Sequence, residues 1–222
     1  MDISVALVQS YLHVNGYLTV TEYPVAELTR KHGIQSATDI DVLGIRLPQA
    51  GGIVPARSRD HVNGFVADPV LAVEEGVTDF IIAEVKEGPA QLNPGIRNAA
   101  VLTAVLLRFG CCPASEVAEN VARLLANGRS RTSTNMVIRL LAFGSEADAV
   151  PPVPSLEISH AHLIRFLQQH LREHWDLFRS VHTRDPVFGF LLLNEKAFRA
   201  EAAINGHGPH DVHDLTDVPE PD

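Results

Sequence analysis

With 222 residues, a hydrophobic fraction of 45% and a charged fraction of 20%, the chain has the composition of a globular protein large enough to bury a sizeable core. Its formal net charge of -9 excludes a surface coated uniformly in basic residues for gripping nucleic acid. The longest apolar run, 99–107 interrupted by Thr103, is far shorter than a bilayer span.

Cys111 and Cys112, the two cysteines, are adjacent, which suits neither a disulfide framework nor a metal-ligand spacing. Met1 is not followed by a basic and then apolar leader, so the expected location is cytoplasmic. Charge is unevenly distributed. Residues 201–222 carry six Asp or Glu and no Lys or Arg, whereas residues 97–139 carry six Arg against two Glu. An acidic tail on a locally basic body is the pattern to explain.

In chain order, residues 3–14 place Val5, Leu7, Val8, Tyr11 and Leu12 on a helical face, with Asn15-Gly16 as the stop. Residues 17–25, rich in β-branched and aromatic side chains, predict a first strand, and residues 26–38 a polar connection. Residues 39–47 predict a second strand that Pro48 stops. Residues 48–78 read as a long insertion, with a helical turn expected within 70–75.

Residues 79–88, Asp-Phe-Ile-Ile-Ala-Glu-Val-Lys-Glu-Gly, predict a third strand buried on both faces. Two helices follow, 96–109 and one from Ser115, taken as its cap, to Asn127. A fourth strand is expected over 135–143, and a Pro-rich linker over 149–154. A long helix is expected over 159–181 with Leu163, Leu167, Leu171, Trp175 and Phe178 as its stripe, then a short strand over 187–193. The domain reading is a core over 1–148 with its insertion at 48–78, a C-terminal addition over 149–202 packed on it, and a disordered acidic tail over 203–222.

The chemistry concentrates in the third strand. Glu84 and Lys86 lie two apart, so both side chains share one face at the end of a core strand. Burying both is costly unless they pair or hold a metal. If the second strand lies alongside, Asp41 meets Glu84 beside the lysine. Two carboxylates with open positions suit Mg²⁺ or Mn²⁺, with the Val85 carbonyl as an extra ligand. Each of these residues also has a plainer reading as a solvated strand-end charge.

Asp41, Glu84-Val85-Lys86 and the helix–strand order around them resemble the PD-(D/E)XK, or restriction-endonuclease-like, nuclease superfamily. The resemblance covers residues 3–145. It implies an α/β fold with a mixed central sheet flanked by helices, an αβββαβ core, to which the residues after 149 add a helix and a strand. It further implies a Mg²⁺-dependent nuclease cutting DNA, less often RNA. Asp41 and Glu84 would bind the ion, Lys86 would be the catalytic lysine, and Glu22 would support the site; Gln91, read from its position after the strand, is a further supporting candidate or a polar turn residue. Members often carry an acid on the first helix, which here holds only Gln9. Arg97, Arg108, Arg129 and Arg131, with Arg139 in the same series, are candidates to track a phosphate backbone. A homodimer or partner protein would deliver substrate to so acidic a chain. The competing expectation is an inactive module of this fold, binding nucleic acid or a partner protein in a bacterial defence or mobile-element system.

A second motif, His170-Leu171-Arg172-Glu173-His174, has the order of the inverted zinc peptidases. It lacks room downstream for a third ligand, and its histidines read as helix-surface residues.

Overall fold

The computed structural model describes residues 2–29, 33–51, 65–146 and 153–204, which fall into two compact units, Met1–Phe166 and Leu167–Asp222. In the first, α1 (Ile3–Val14) begins where the Asp2 carboxylate accepts the Ser4 N–H at 2.7 Å. It ends at Asn15 and at Gly16, whose φ of 84° few residues other than glycine adopt. β1 (Tyr17–Thr29) and β2 (Gly33–Arg46) then form a long antiparallel hairpin. The expected polar connection over 26–38 is therefore mostly ladder, because backbone pairing continues past the point where apolar alternation reports it. Residues 52–64 of the insertion lie outside the described residues. The expected turn is a single 3₁₀ turn, Pro69–Leu71, capped by Asp68.

β3 (Thr78–Val85) is antiparallel to β2 and parallel to β5 (Met136–Gly144), giving a mixed open sheet in the order β1-β2-β3-β5-β4. Two short strands were not legible in the sequence: β4 (Arg129–Arg131), and β6 (Leu156–Ser159), which pairs with the other end of β5. Between β3 and β5 lie α2 (Ala99–Phe109) and α3 (Val117–Asn127). Ser115 sits within a 3₁₀ turn, Ala114–Glu116, and supplies no cap. The unit boundary falls inside α4 (His160–Glu173), so β6, within the segment the sequence reading assigned to the C-terminal addition, pairs into the sheet of the first unit.

Helices flank this sheet. Leu43, Phe80, Ile82, Ile138, Leu140 and Ala142 form the sheet side of a core closed by Leu102, Val105, Leu106, Val121 and Leu124 of α2 and α3. The opposite face carries a buried polar cluster at the start of β3. Arg139 Nε donates to Asp79 Oδ1 at 2.9 Å, a second guanidinium nitrogen and the Tyr17 hydroxyl donate to Oδ2, and Arg139 also donates to the Leu71 carbonyl. Burial and the Asp79 charge hold the Tyr17 phenol well above its ordinary pKa. No helix among the described residues is long and apolar enough to cross a membrane.

In the second unit the expected helix over 159–181 breaks at His174, with α5 (Trp175–Phe178) beyond it. The expected strand over 187–193 is instead the start of a helix, α6 (Pro186–Ile204), so the helix–strand addition is wrong. Asp185 accepts the N–H groups of Val187 and Phe188, and Pro186 occupies the first helical position. A short apolar run does not by itself distinguish the two structures. The tail beyond Ile204 lies outside the described residues.

His170 is buried, not a helix-surface residue, and its ring lies 4.4 Å from that of His174 and 5.5 Å from that of Phe178. The His174 Nδ1–H donates to the His170 carbonyl at 2.9 Å. Burial, and then His174, push the His170 pKa down to about 4. Between that value and the ordinary His range the unfolded chain binds a proton that the folded chain does not, so stability falls as pH drops through this window. Thermal melts from pH 7 to pH 4 are expected to show this loss, about 3 kcal/mol at most from this residue. In His170→Leu the slope should be shallower.

Candidate active site

The register brings the strand-end acids together. Val42 pairs with Ala83 and Leu43 with Ile82, so the next position sets Asp41 beside Glu84. On β3 the face that reads Phe80, Ile82 ends in Glu84, and the row continues to Ala142 of β5. A carboxylate thus occupies the position that would extend the hydrophobic face.

Glu84 is 1% exposed. Its Oε1 accepts from the Lys86 ammonium, while Lys86 itself remains 39% exposed. Oε2 is buried and has no partner of hydrogen-bond geometry among the described residues. The Val85 N–H donates to Asp41 Oδ2 at 2.7 Å, locking that side chain against the end of β3. Val85 thus meets the site through its amide. Burial raises both carboxyls above the ordinary range. The Val85 N–H and the Lys86 charge oppose this at Asp41, and Lys86 opposes it at Glu84.

Asp2 and Glu22 add like charge to Asp41. Glu22 stands opposite Asp41 on β1, between the pairs Thr21↔Val42 and Tyr23↔Ile40. Its φ of 53° is left-handed, an uncommon conformation for a residue with a side chain, and it interrupts the ladder there. Three acids therefore line up across three adjacent strands, Glu22 exposed, Asp41 half-buried and Glu84 buried.

The connection from β3 to α2 closes one side. The Ser145 N–H donates to the Gly88 carbonyl and the Ala90 N–H to the Glu146 carbonyl, each at 2.7 Å. Gly144 permits that approach: a Cβ there would stand 2.4 Å from the Ala90 nitrogen and 2.5 Å from the Gly88 oxygen. Gly144→Ala is therefore expected to cost about 1–3 kcal/mol, measured by denaturant unfolding, because backbone must shift to admit the methyl group.

Asn93 on the same connection interacts with Glu84 and so enters the site, which sequence reasoning missed. Its Oδ1 accepts the Ile96 N–H at 2.8 Å, ahead of α2. The signal was its place in Asn93-Pro94-Gly95, a turn sequence just after a charged strand end. Gln91, the residue proposed for this support, is exposed two positions earlier.

The arginines are dispersed. Arg97 is half-buried on the Asn93 connection, where its Nε donates to the Asn93 carbonyl at 3.4 Å. Arg108 is exposed in the last turn of α2. Arg129 and Arg131 both ion-pair with Glu74 and stand level with Arg139 and Val137, toward the start of β5. In the parallel register those rows correspond to Ile81 and Asp79, about 10–17 Å along β3 from Glu84. Arg139 is buried against Asp79. A continuous basic track over all of these is therefore not formed.

Among the described residues no group of three or more His, Cys, Asp or Glu could by itself hold a metal ion. Asp41 and Glu84 supply two carboxylates, and Glu84, buried with Lys86 and Asn93 as its polar neighbours, is a carboxylate whose charge a cation would offset. That donor set fits Mg²⁺, which is commonly held by one or two carboxylates and keeps several waters. It does not fit zinc, which prefers nitrogen and sulfur ligands. No family model, curated protein or solved structure matches the chain.

Proposed function

We propose that the first unit is a restriction-endonuclease-like nuclease that hydrolyses phosphodiester bonds, with DNA as its substrate, using Mg²⁺ or Mn²⁺ at Asp41 and Glu84. One observation carries the reading. A glutamate buried at the sheet end shares a row with a second acid and pairs with a lysine that reaches solvent. A structural ion pair would not need Asp41 beside it. The PD-(D/E)XK resemblance of Asp41, Glu84, Val85 and Lys86 points the same way.

In this reading the two carboxylates hold the ion and the Val85 N–H fixes how Asp41 presents its free oxygen. The bound ion would supply Lewis acidity toward a phosphoryl oxygen and lower the pKa of a coordinated water. Lys86, paired with Glu84 and reaching solvent, would orient the attacking water and offset charge developing on the phosphate. Arg97, on the Asn93 connection, would hold the substrate backbone in this reading. The sheet floor beneath Glu84, Ile82 and Phe80, is apolar and excludes water from the carboxylate's inner side.

Plasmid, linear and single-stranded DNA incubated with Mg²⁺ or Mn²⁺ test the proposal. Ion-dependent cleavage of any of them supports it. An absence of cleavage on all three, and on RNA, would favour the alternative of a module that keeps the fold and binds without cutting.

A further inference from the structure

The second unit carries a surface independent of the acid row. α6 is apolar on two sides: Phe188, Leu191 and Leu192 are buried, while Phe190, Leu193 and Ile204 are 66%, 65% and 84% exposed. A surface helix normally exposes a polar face opposite the one it buries. Phe190, Leu193, Ala197, Ala200 and Ile204 follow one another at steps of three, four, three and four, and all five are exposed. That spacing is the a and d pattern of a heptad repeat.

The flanking charges select an occupant. With Phe190 at a and Leu193 at d, Lys196 falls at g and Glu201 at e of the next heptad. In a parallel two-stranded pairing, g of one helix faces the following e of the other. Lys196 of each chain then meets Glu201 of its partner, twice per dimer. An antiparallel pairing sets g against g and e against e, bringing like charges together. Both residues are exposed, and neither enters an ion pair among the described residues. The nearby charges Glu195, Arg199 and Arg172 pair with one another on another side of the helix. Ala197 and Ala200 in the middle of the stripe let two backbones approach closely.

We propose that a second copy of this chain packs on this face, the two α6 helices lying parallel about a two-fold axis. The contact is isologous: each a or d residue meets its own copy. The seam is two heptads long, so association is expected to be concentration-dependent and not obligate.

Sedimentation equilibrium of the full chain over about 1–200 µM should show a species at twice the 24.2 kDa chain mass. Leu193→Asp should return it to the monomer with unchanged helical circular dichroism. Lys196→Glu and Glu201→Lys should each weaken association about fivefold or more, and the double exchange should restore it. Ala197→Cys and Ile204→Cys should each cross-link to its own copy under oxidation, a pair of outcomes that a parallel pairing in register allows and an antiparallel one, which can centre on one position alone, does not. A monomer at every concentration would overturn the proposal, as would a dimer indifferent to Leu193→Asp. A chain that dimerises only after removal of residues 205–222 would assign the face to the tail and overturn it equally. Failure of the double exchange to restore association would overturn the parallel arrangement.

Discussion

Lys86→Ala is expected to lower phosphodiester cleavage by about 10²–10⁴-fold, the range over which one positioned proton-transfer or charge-stabilising group contributes. Asp41→Ala is expected to abolish it to background. The two substitutions act differently. In the proposed role, Asp41→Ala would remove a ligand and leave the Val85 N–H without its acceptor, so saturation by the ion should be lost. Lys86→Ala leaves both carboxylates in place but strips Glu84 of its ion-pair partner. The ion should still bind there, and more tightly than in the parent chain, because the ammonium no longer competes for Oε1. Initial rates against ion concentration separate the cases. A raised maximal rate at high ion in Asp41→Ala, with Lys86→Ala unaffected, would contradict these roles.

Asp79→Ala is expected to destabilise the sheet unit by about 3–5 kcal/mol. Asp79 and Arg139 are 2% and 6% exposed, and Tyr17, also donating to Asp79, is 2% exposed. Removing the carboxylate leaves a guanidinium in a low-dielectric setting with only the Leu71 carbonyl and the Tyr17 hydroxyl as acceptors. The paired replacement Asp79→Leu with Arg139→Met should recover much of the loss, since a buried ion pair exchanged for apolar side chains of similar size is often near neutral. Urea unfolding of the three variants decides this. A loss of less than about 1 kcal/mol in Asp79→Ala would mean that water reaches Arg139.

Much of the sheet was legible because strand periodicity states which side chains share a face. The spacing of Glu84 and Lys86 gave their common side, and the strand around Asp41 gave its partner. The remainder depended on information that a linear pattern does not carry. Arg129, Arg131 and Arg139 look like one basic series along the chain, yet β4 and β5 set them level with Ile81 and Asp79, about 10–17 Å along β3 from Glu84. Asn93 was hidden because a turn residue shows no periodicity, and its role depends on Gly144 admitting the 88–90 backbone. Residues 187–193 were misread because seven mostly apolar residues satisfy a buried strand and a helix alike, and the deciding signal was Asp185-Pro186 before them. β6 is four residues long and follows a Pro-rich segment, too little to show alternation.

Whether Asp41 and Glu84 accept a divalent cation is most directly measured by thermal unfolding against Mg²⁺ and Mn²⁺, with Glu84→Gln as the reference. Two acids held above their ordinary pKa by burial oppose folding once ionised, so an ion bound only to the folded chain should raise the melting temperature with concentration. In Glu84→Gln the melting temperature without ion should match or exceed that of the parent chain, and the response to ion should be lost. A parent chain indifferent to both ions, or a response that survives Glu84→Gln, would contradict a cation site at this sheet end.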